Sequence, residues 1–234
     1  MTFLMVVRVP ADANPTREEG DPSAWVEATS DGQRVFGDRL RPPQDATCVR
    51  VRDGKTLVTH GPFVEITEQI AGFDLLTVDD ADTAVQIALT HPVAKFGALE
   101  LRELHPFELP DGSLDDEPFI GEPISYVLLM GSEPGAPEPE PADEGLPVAW
   151  MEQAGSAERG GARLRPAEEA ITVRIRDGKQ LVTHGPFAEL AEQVAGYDLL
   201  DVPDLDAAIA LAAAHPAARL GVVEIRPRWP IFDQ

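Results

Sequence analysis

The chain has 234 residues, with 41 Asp or Glu against 19 Lys or Arg, a formal net charge of −22 and a sequence pI near 4.4. Hydrophobic residues make up 43%, enough for a packed core, while the charge excludes a phosphate-neutralising nucleic-acid binder and an anionic membrane surface as partner. Cys48 is the single cysteine, so no intrachain disulfide forms and a cytoplasmic, reducing setting is expected. No apolar run approaches the ~20 residues of a membrane span, and the opening MTFLMVVRVP is too short and too poor in basic residues to be expected as a signal peptide.

In chain order, the apolar run Phe3–Val7 predicts a first strand. A weakly periodic helix is expected over Ser23–Phe36. The clearest local signal follows: Val49–Arg52 and Lys55–Thr59 flank Asp53-Gly54, the dipeptide of a two-residue type I′ hairpin turn. That loop sets the register, placing Arg52 opposite Lys55, Val49 opposite Val58 and Thr47 opposite His60. Glu65–Ala71 predicts a helical turn and Phe73–Val78 a buried strand. Asp80 is an N-cap candidate for a helix with Ala84, Ile87 and Ala88 on one stripe, and Ala98–Arg102 completes the unit as a strand.

The same order then repeats. RVRDGKTLVTHGPF from Arg50 returns as RIRDGKQLVTHGPF from Arg174, 124 residues later, and about 38 of 66 positions are identical between Gly37–Arg102 and Gly161–Arg226. The second copy begins with a strand at Tyr126–Met130, continues with a helix over Pro147–Arg159 and a hairpin turned at Asp177-Gly178, and closes with a strand at Tyr197–Val202, a helix capped by Asp204 and a strand at Val222–Arg226. Between the copies, Glu108–Glu144 holds 11 acids and no Lys or Arg. The expected organisation is a first domain over 1–107, a linker over 108–122 and a second domain over 123–234, with an acidic, proline-rich loop at 131–147 kept extended by charge repulsion.

Strand, helix, hairpin, strand, helix, strand predicts an α+β fold, with helices on one face of a mainly antiparallel sheet and the other copy covering the open face. VTHGPF followed by EITEQIAGFDLL, and HPAARLGVVEIRP at the end of the second copy, resembles the YCII-related proteins, specifically their DGPF branch. The resemblance covers both halves. It implies a ferredoxin-like (βαββαβ-type) domain that dimerises through its sheet. The expected fold is therefore two such domains packed sheet to sheet, a pseudo-dimeric α/β barrel in one chain. It also implies acid–base chemistry through a His–Asp pair, and some relatives act on muconolactone-type ring compounds. The family's histidine belongs on the first helix, where neither copy has one, and the Asp of the DGPF motif is replaced by His60 and His184.

The sharpest local chemistry is His60-Gly61-Pro62-Phe63 and its repeat at His184. Gly61 and Gly185 permit φ values that a side chain forbids, proline fixes the next φ, and Phe63 and Phe187 turn back as aromatic walls. A strand-end imidazole titrates near neutrality and suits a general base or ligand anchor. Glu65 and Glu189, close in sequence, or Asp74 and Asp198, across the sheet, are candidates to orient it. The competing structural role is a histidine bonded to a turn carbonyl. His91-Pro92 and His215-Pro216 are expected to end the helices, a cation there complementing the dipole. Arg50, Arg52, Arg174 and Arg176 are expected to pair with carboxylates on a solvated face. No HxxxH, HxH, CxxC or Gly-rich phosphate loop occurs, so neither metal nor cofactor is expected. The functional expectation is binding of a small molecule, with isomerase- or lyase-type proton transfer on a small organic acid or cyclic compound. The alternative is a non-catalytic regulatory or protein-interaction module that docks through the acidic loop. The halves are expected to form an intramolecular pseudo-dimer, the chain itself being a monomer or weak homodimer.

Overall fold

In the computed structural model, which describes residues 1–29, 32–63, 68–105, 107–108, 114–115, 122–131, 146–185 and 194–231, the first half runs β1 (Thr2–Pro10), α1 (Arg17–Gly20), α2 (Ser23–Thr29), β2 (Arg34–Leu40), β3 (Thr47–Arg52), β4 (Lys55–His60), β5 (Glu68–Thr77), α3 (Ala81–Thr90) and β6 (Ala98–His105). Two short strands, β7 (Phe107–Glu108) and β8 (Leu114–Asp115), pair with each other. The second half runs β9 (Tyr126–Gly131), α4 (Leu146–Ala154), β10 (Glu158–Leu164), β11 (Ile171–Arg176), β12 (Lys179–His184), β13 (Val194–Leu200), α5 (Leu205–Ala214), α6 (Ala217–Leu220) and β14 (Val222–Trp229). No helix among the described residues is long and apolar enough to cross a membrane.

The hairpin signals hold in detail. Asp53 and Gly54 have φ of 52° and 71°, and Asp177 and Gly178 have 52° and 72°, the doubly positive pattern of a type I′ turn. The register is the one expected, from Arg52 opposite Lys55 to Thr47 opposite His60. Asp80 and Asp204 cap their helices, accepting from the N–H of Thr83 at 2.8 Å and of Ala207 at 2.9 Å. The helices expected from Ser23 and from Pro147, α2 and α4, are shorter than expected. They end at Thr29 and Ala154, and the ends of the expected spans, residues 34–36 and 158–159, belong to β2 and β10. Those strands take their hydrogen bonds from β5 and β13, partners that local periodicity cannot reveal. Residues 68–71, expected in a helical turn, lie in β5.

The expectation of two ferredoxin-like domains packed sheet to sheet as an α/β barrel is overturned. The strands form one closed, eight-stranded antiparallel β-barrel, in the order β1-β5-β2-β14-β9-β13-β10-β6 and back to β1. The molecule is mostly sheet, with few and short helices. The physical reason lies at the sheet edges. A four-stranded sheet leaves two rows of unpaired N–H and C=O groups, and here β2 pairs with β14 and β10 with β6, so closure satisfies both rows. The strand pattern repeats after four positions, so a half-turn about the barrel axis relates the halves.

Leu4, Val6, Phe73, Leu75, Val127, Leu129, Tyr197 and Leu199 from both halves fill the interior as one cluster. Opposed residues share a face. Glu100 and Arg102, opposite Val6 and Leu4, therefore also point inward, where they pair at 3.3 Å. Glu224 and Arg226 do the same at 3.2 Å. On the outside, α2 and α3 cover one flank, and α4, α5 and α6 the other.

The hairpins are exchanged arms. β3 pairs with β14 and β11 with β6, so each arm lies on the opposite half. Val49 packs into the helical cluster of the second half, and Ile171 and Val173 into that of the first. Arg52 reaches the carbonyls of Ala218 and Gly221, both at 2.9 Å. Arg176 reaches those of Ala94 at 3.1 Å and Gly97 at 2.8 Å. The partners of these two arginines thus include backbone carbonyls of the other half, beside those of Val51 and Ile175 in their own strands.

Candidate functional site

The histidines of the HGPF motifs end the outer strands of the arms. His60 and His184 are exposed, opposite Thr47 and Ile171. Gly61 and Gly185 have φ of 97° and 105°, the left-handed conformation that glycine adopts without strain. Phe63 turns back as expected, but into the barrel. Its ring packs against the interior cluster and lies over Gly131, and its N–H donates to Glu224 Oε2 at 2.8 Å. Glu65, Phe187 and Glu189 lie outside the described residues.

Asp74 and Asp198 are both buried, on the outer face of the barrel beneath the helices. Each lies directly across from a glycine, Asp74 from Gly37 and Asp198 from Gly161. A Cβ at either glycine would collide with the carboxylate and with the neighbouring backbone. The glycine is the room in which the carboxyl sits. A bulge between residues 34 and 36, and its counterpart between 158 and 160, brings one further side chain to each carboxyl. In the first half this is Arg34, whose Nε donates to Asp74 Oδ1 at 2.7 Å. In the second it is Glu158. The structure joins Asp198 to a histidine other than His184: His215 Nε2 lies 3.3 Å from Asp198 Oδ2. The pair lacks hydrogen-bond alignment, and Oδ2 has no hydrogen-bond donor.

His91 and His215 follow the main helices and carry an aromatic wall each. Trp25 stands edge-on to His91, and Trp150 to His215, both with ring centroids 4.6 Å apart. The capping expectation holds with the opposite electrostatics. Nδ1 of His91 accepts from the Val93 N–H, and Nδ1 of His215 from that of Ala217, both at 3.1 Å. An accepting Nδ1 places the proton of a neutral ring on Nε2. Burial pulls His91 down to about 3, with the Arg34 charge adding to the effect, and burial alone pulls His215 down to about 4. These are neutral caps of the next turn, not cations on a helix dipole.

The carboxyls diverge for the same reasons. Burial raises Asp74 to about 6, with Arg34 pulling the other way. Asp198 has no such counter-charge, and burial together with the like charge of Glu158 raises it well above the ordinary carboxylate range. Burial also raises Glu158. The first half thus holds a closed Arg34–Asp74 ion pair. The second holds a carboxyl and a neutral imidazole in contact, with a second carboxyl beside them. An open groove of about 640 Å³ runs between α2 and α3, lined by Trp25, Gln33, Gln86 and Lys95 among others; Asp74 is not in its lining.

Asp74 and Asp198 were legible as candidates. His215, Glu158 and Trp150 were not. The available signal was the homologous pair Arg34 and Glu158, a charge reversal one strand away from a retained aspartate.

Fold and site together define a duplicated antiparallel barrel with a buried His–Trp pair and a buried aspartate on each flank. The chain belongs to the YCII-related family: the YCII-related domain matches residues 10–108 and again residues 125–231. An uncharacterised protein of Rhizobium meliloti (strain 1021) is 41% identical over 70 residues, covering 28% of this chain and 55% of the relative. The chain thus spans about half the length of that curated relative.

Proposed function

We propose that the protein binds a small cyclic compound on the flank of its second half and moves a proton there between Asp198 and the bound molecule, with the His215 N–H beside the carboxyl. The observation that carries this reading is the contact of Asp198 Oδ2 with His215 Nε2 at 3.3 Å, in the half where Glu158 replaces Arg34. A carboxyl whose pKa is raised by burial is a proton donor, and the Nε2–H of the neutral imidazole beside it faces the carboxylate left behind, which takes its proton back from the bound molecule. His215 Nδ1 accepts from the Ala217 N–H, so Nε2 carries the ring's proton and is the nitrogen facing Asp198. Gly161 leaves room for the carboxyl, and Trp150 fixes the imidazole plane. Of the two substrate classes expected from the sequence, a neutral ring compound suits this site better than an organic acid, because burial and the neighbouring Glu158 disfavour a further negative charge there. The pattern matches the reaction type implied by the family's His–Asp pair, built from residues at other positions.

The test is a panel of lactones and related cyclic compounds, screened by ligand-induced thermal stabilisation and by exchange of substrate protons with deuterated solvent. Asp198→Asn is expected to abolish both responses, and Asp74→Asn to leave them. Unchanged stabilisation and exchange in Asp198→Asn would overturn the proposal.

A further inference from the structure

The arms carry a feature that the flank site does not use. All six residues of β4 and all six of β12 are exposed, and among the described residues each strand pairs on one side alone. Their apolar side chains stand in solvent: Leu57 is 47% exposed, Val58 42%, Leu181 46% and Val182 42%. The Gly61 N–H donates to the Ala46 carbonyl at 2.9 Å, and the Gly185 N–H to that of Ala170 at 2.7 Å. These bonds set the alternation along each ladder. Residues 55, 57 and 59 turn their backbone groups inward to β3, and 56, 58 and 60 turn theirs to the free edge. On β12 the outward positions are 180, 182 and 184.

We infer that these free edges pair with the matching edge of a second copy of this chain, antiparallel, extending the sheet that already joins the two halves. Alternation restricts the register, because outward-facing residues must oppose one another. A twofold through Val58 meets this condition. It sets Val58 against Val58 of the second copy, Leu57 against Thr59 and Thr56 against His60, and buries the exposed apolar pair. It also leaves the two Lys55 side chains about 20 Å apart, at ~3.3 Å per residue. Charge permits this approach. Residues 47–60 hold three Arg or Lys against one Asp, as do residues 171–184, on a chain of net charge −22. Meeting arm to arm keeps the acidic remainder of two copies apart, and the spacing of the lysines limits the repulsion between the arms themselves. The edges have no proline and no bulge, the usual devices that keep a free strand from pairing. The retained K-x-L-V-T-H sequence of both arms then serves assembly.

The experiment is sedimentation velocity on the full chain from low to high micromolar concentration. The wild type is expected to rise from 25.3 kDa to at least twice that mass. Val58→Pro combined with Val182→Pro removes two outward N–H groups and leaves the β3–β4 and β11–β12 ladders intact. Val58→Lys with Val182→Lys tests the same edges without a backbone change. Both double variants are expected to remain at monomer mass with an unchanged circular dichroism spectrum. A wild type that stays at 25.3 kDa throughout, or a folded lysine variant that assembles like the wild type, would refute the inference. Asp198→Asn should assemble normally, which separates this result from the proposed chemistry.

Discussion

His91 and His215 show how a residue read from its neighbours can keep its place and reverse its charge. Each follows the last turn of its helix, where a cation would be favoured. Each is instead enclosed by a tryptophan and the barrel wall, and its Nδ1 is used as an acceptor. Folding at neutral pH therefore selects the uncharged ring. The unfolded chain binds protons at these positions below about pH 6.5, whereas the folded chain does so only near 4 at His215 and near 3 at His91. Stability from these groups is present above pH 6.5 and lost as pH falls through that window. For His215 alone the loss is on the order of 3 kcal/mol by pH 4. Asp74, raised to about 6, acts in the other sense, because its folded form binds the proton first. Replacing both histidines by Asn keeps a cap acceptor and removes the titration. Urea unfolding of His91→Asn with His215→Asn is expected to show a much shallower acid limb between pH 6.5 and 4 than the wild type. An equally steep limb would mean that these imidazoles are not the groups that take up protons.

At the scale of elements, the arms bind the halves together. The Asp-Gly turn and the alternation of Arg50-Val51-Arg52 determine a hairpin and its register locally, and both were legible. The half on which the hairpin lies was not legible, because that depends on carbonyls left free where α6 and its counterpart after α3 end. Arg52 and Arg176 satisfy those carbonyls across the halves. Arg52→Ala or Arg176→Ala is expected to cost about 1–3 kcal/mol, as a loss of charged donors to buried carbonyls. Backbone exchange of the affected arm should rise by more than that of the barrel strands. Equal changes everywhere would show that the arms are not separately opening units.

For the whole molecule, closure of the barrel requires both halves at once. Neither half closes alone, since β2 and β6 of the first meet β14 and β10 of the second. The interior cluster likewise draws on both halves. Fragments 1–107 and 123–234, following the organisation expected from the repeat, should therefore assemble as a one-to-one complex when co-expressed. Each alone should self-associate or unfold, having open edges and a half-filled interior. A stable monomer of either fragment would show that closure is not needed for folding.

The turn dipeptides, the aspartate caps and the duplication follow from the sequence alone, because a few neighbouring φ values, one side chain's reach or a direct repeat decides each of them. Three features depend on contacts between distant segments: the closed barrel in place of two packed sheets, the exchange of arms, and the meeting of Asp198 with His215 and Glu158. Edges that must be satisfied do not announce their partner locally, and a bulge one strand away selects which residue reaches a carboxyl. His60 and His184 illustrate the limit most clearly: their motif specifies a turn, and only the packing of the arms decides that they stand at an open edge.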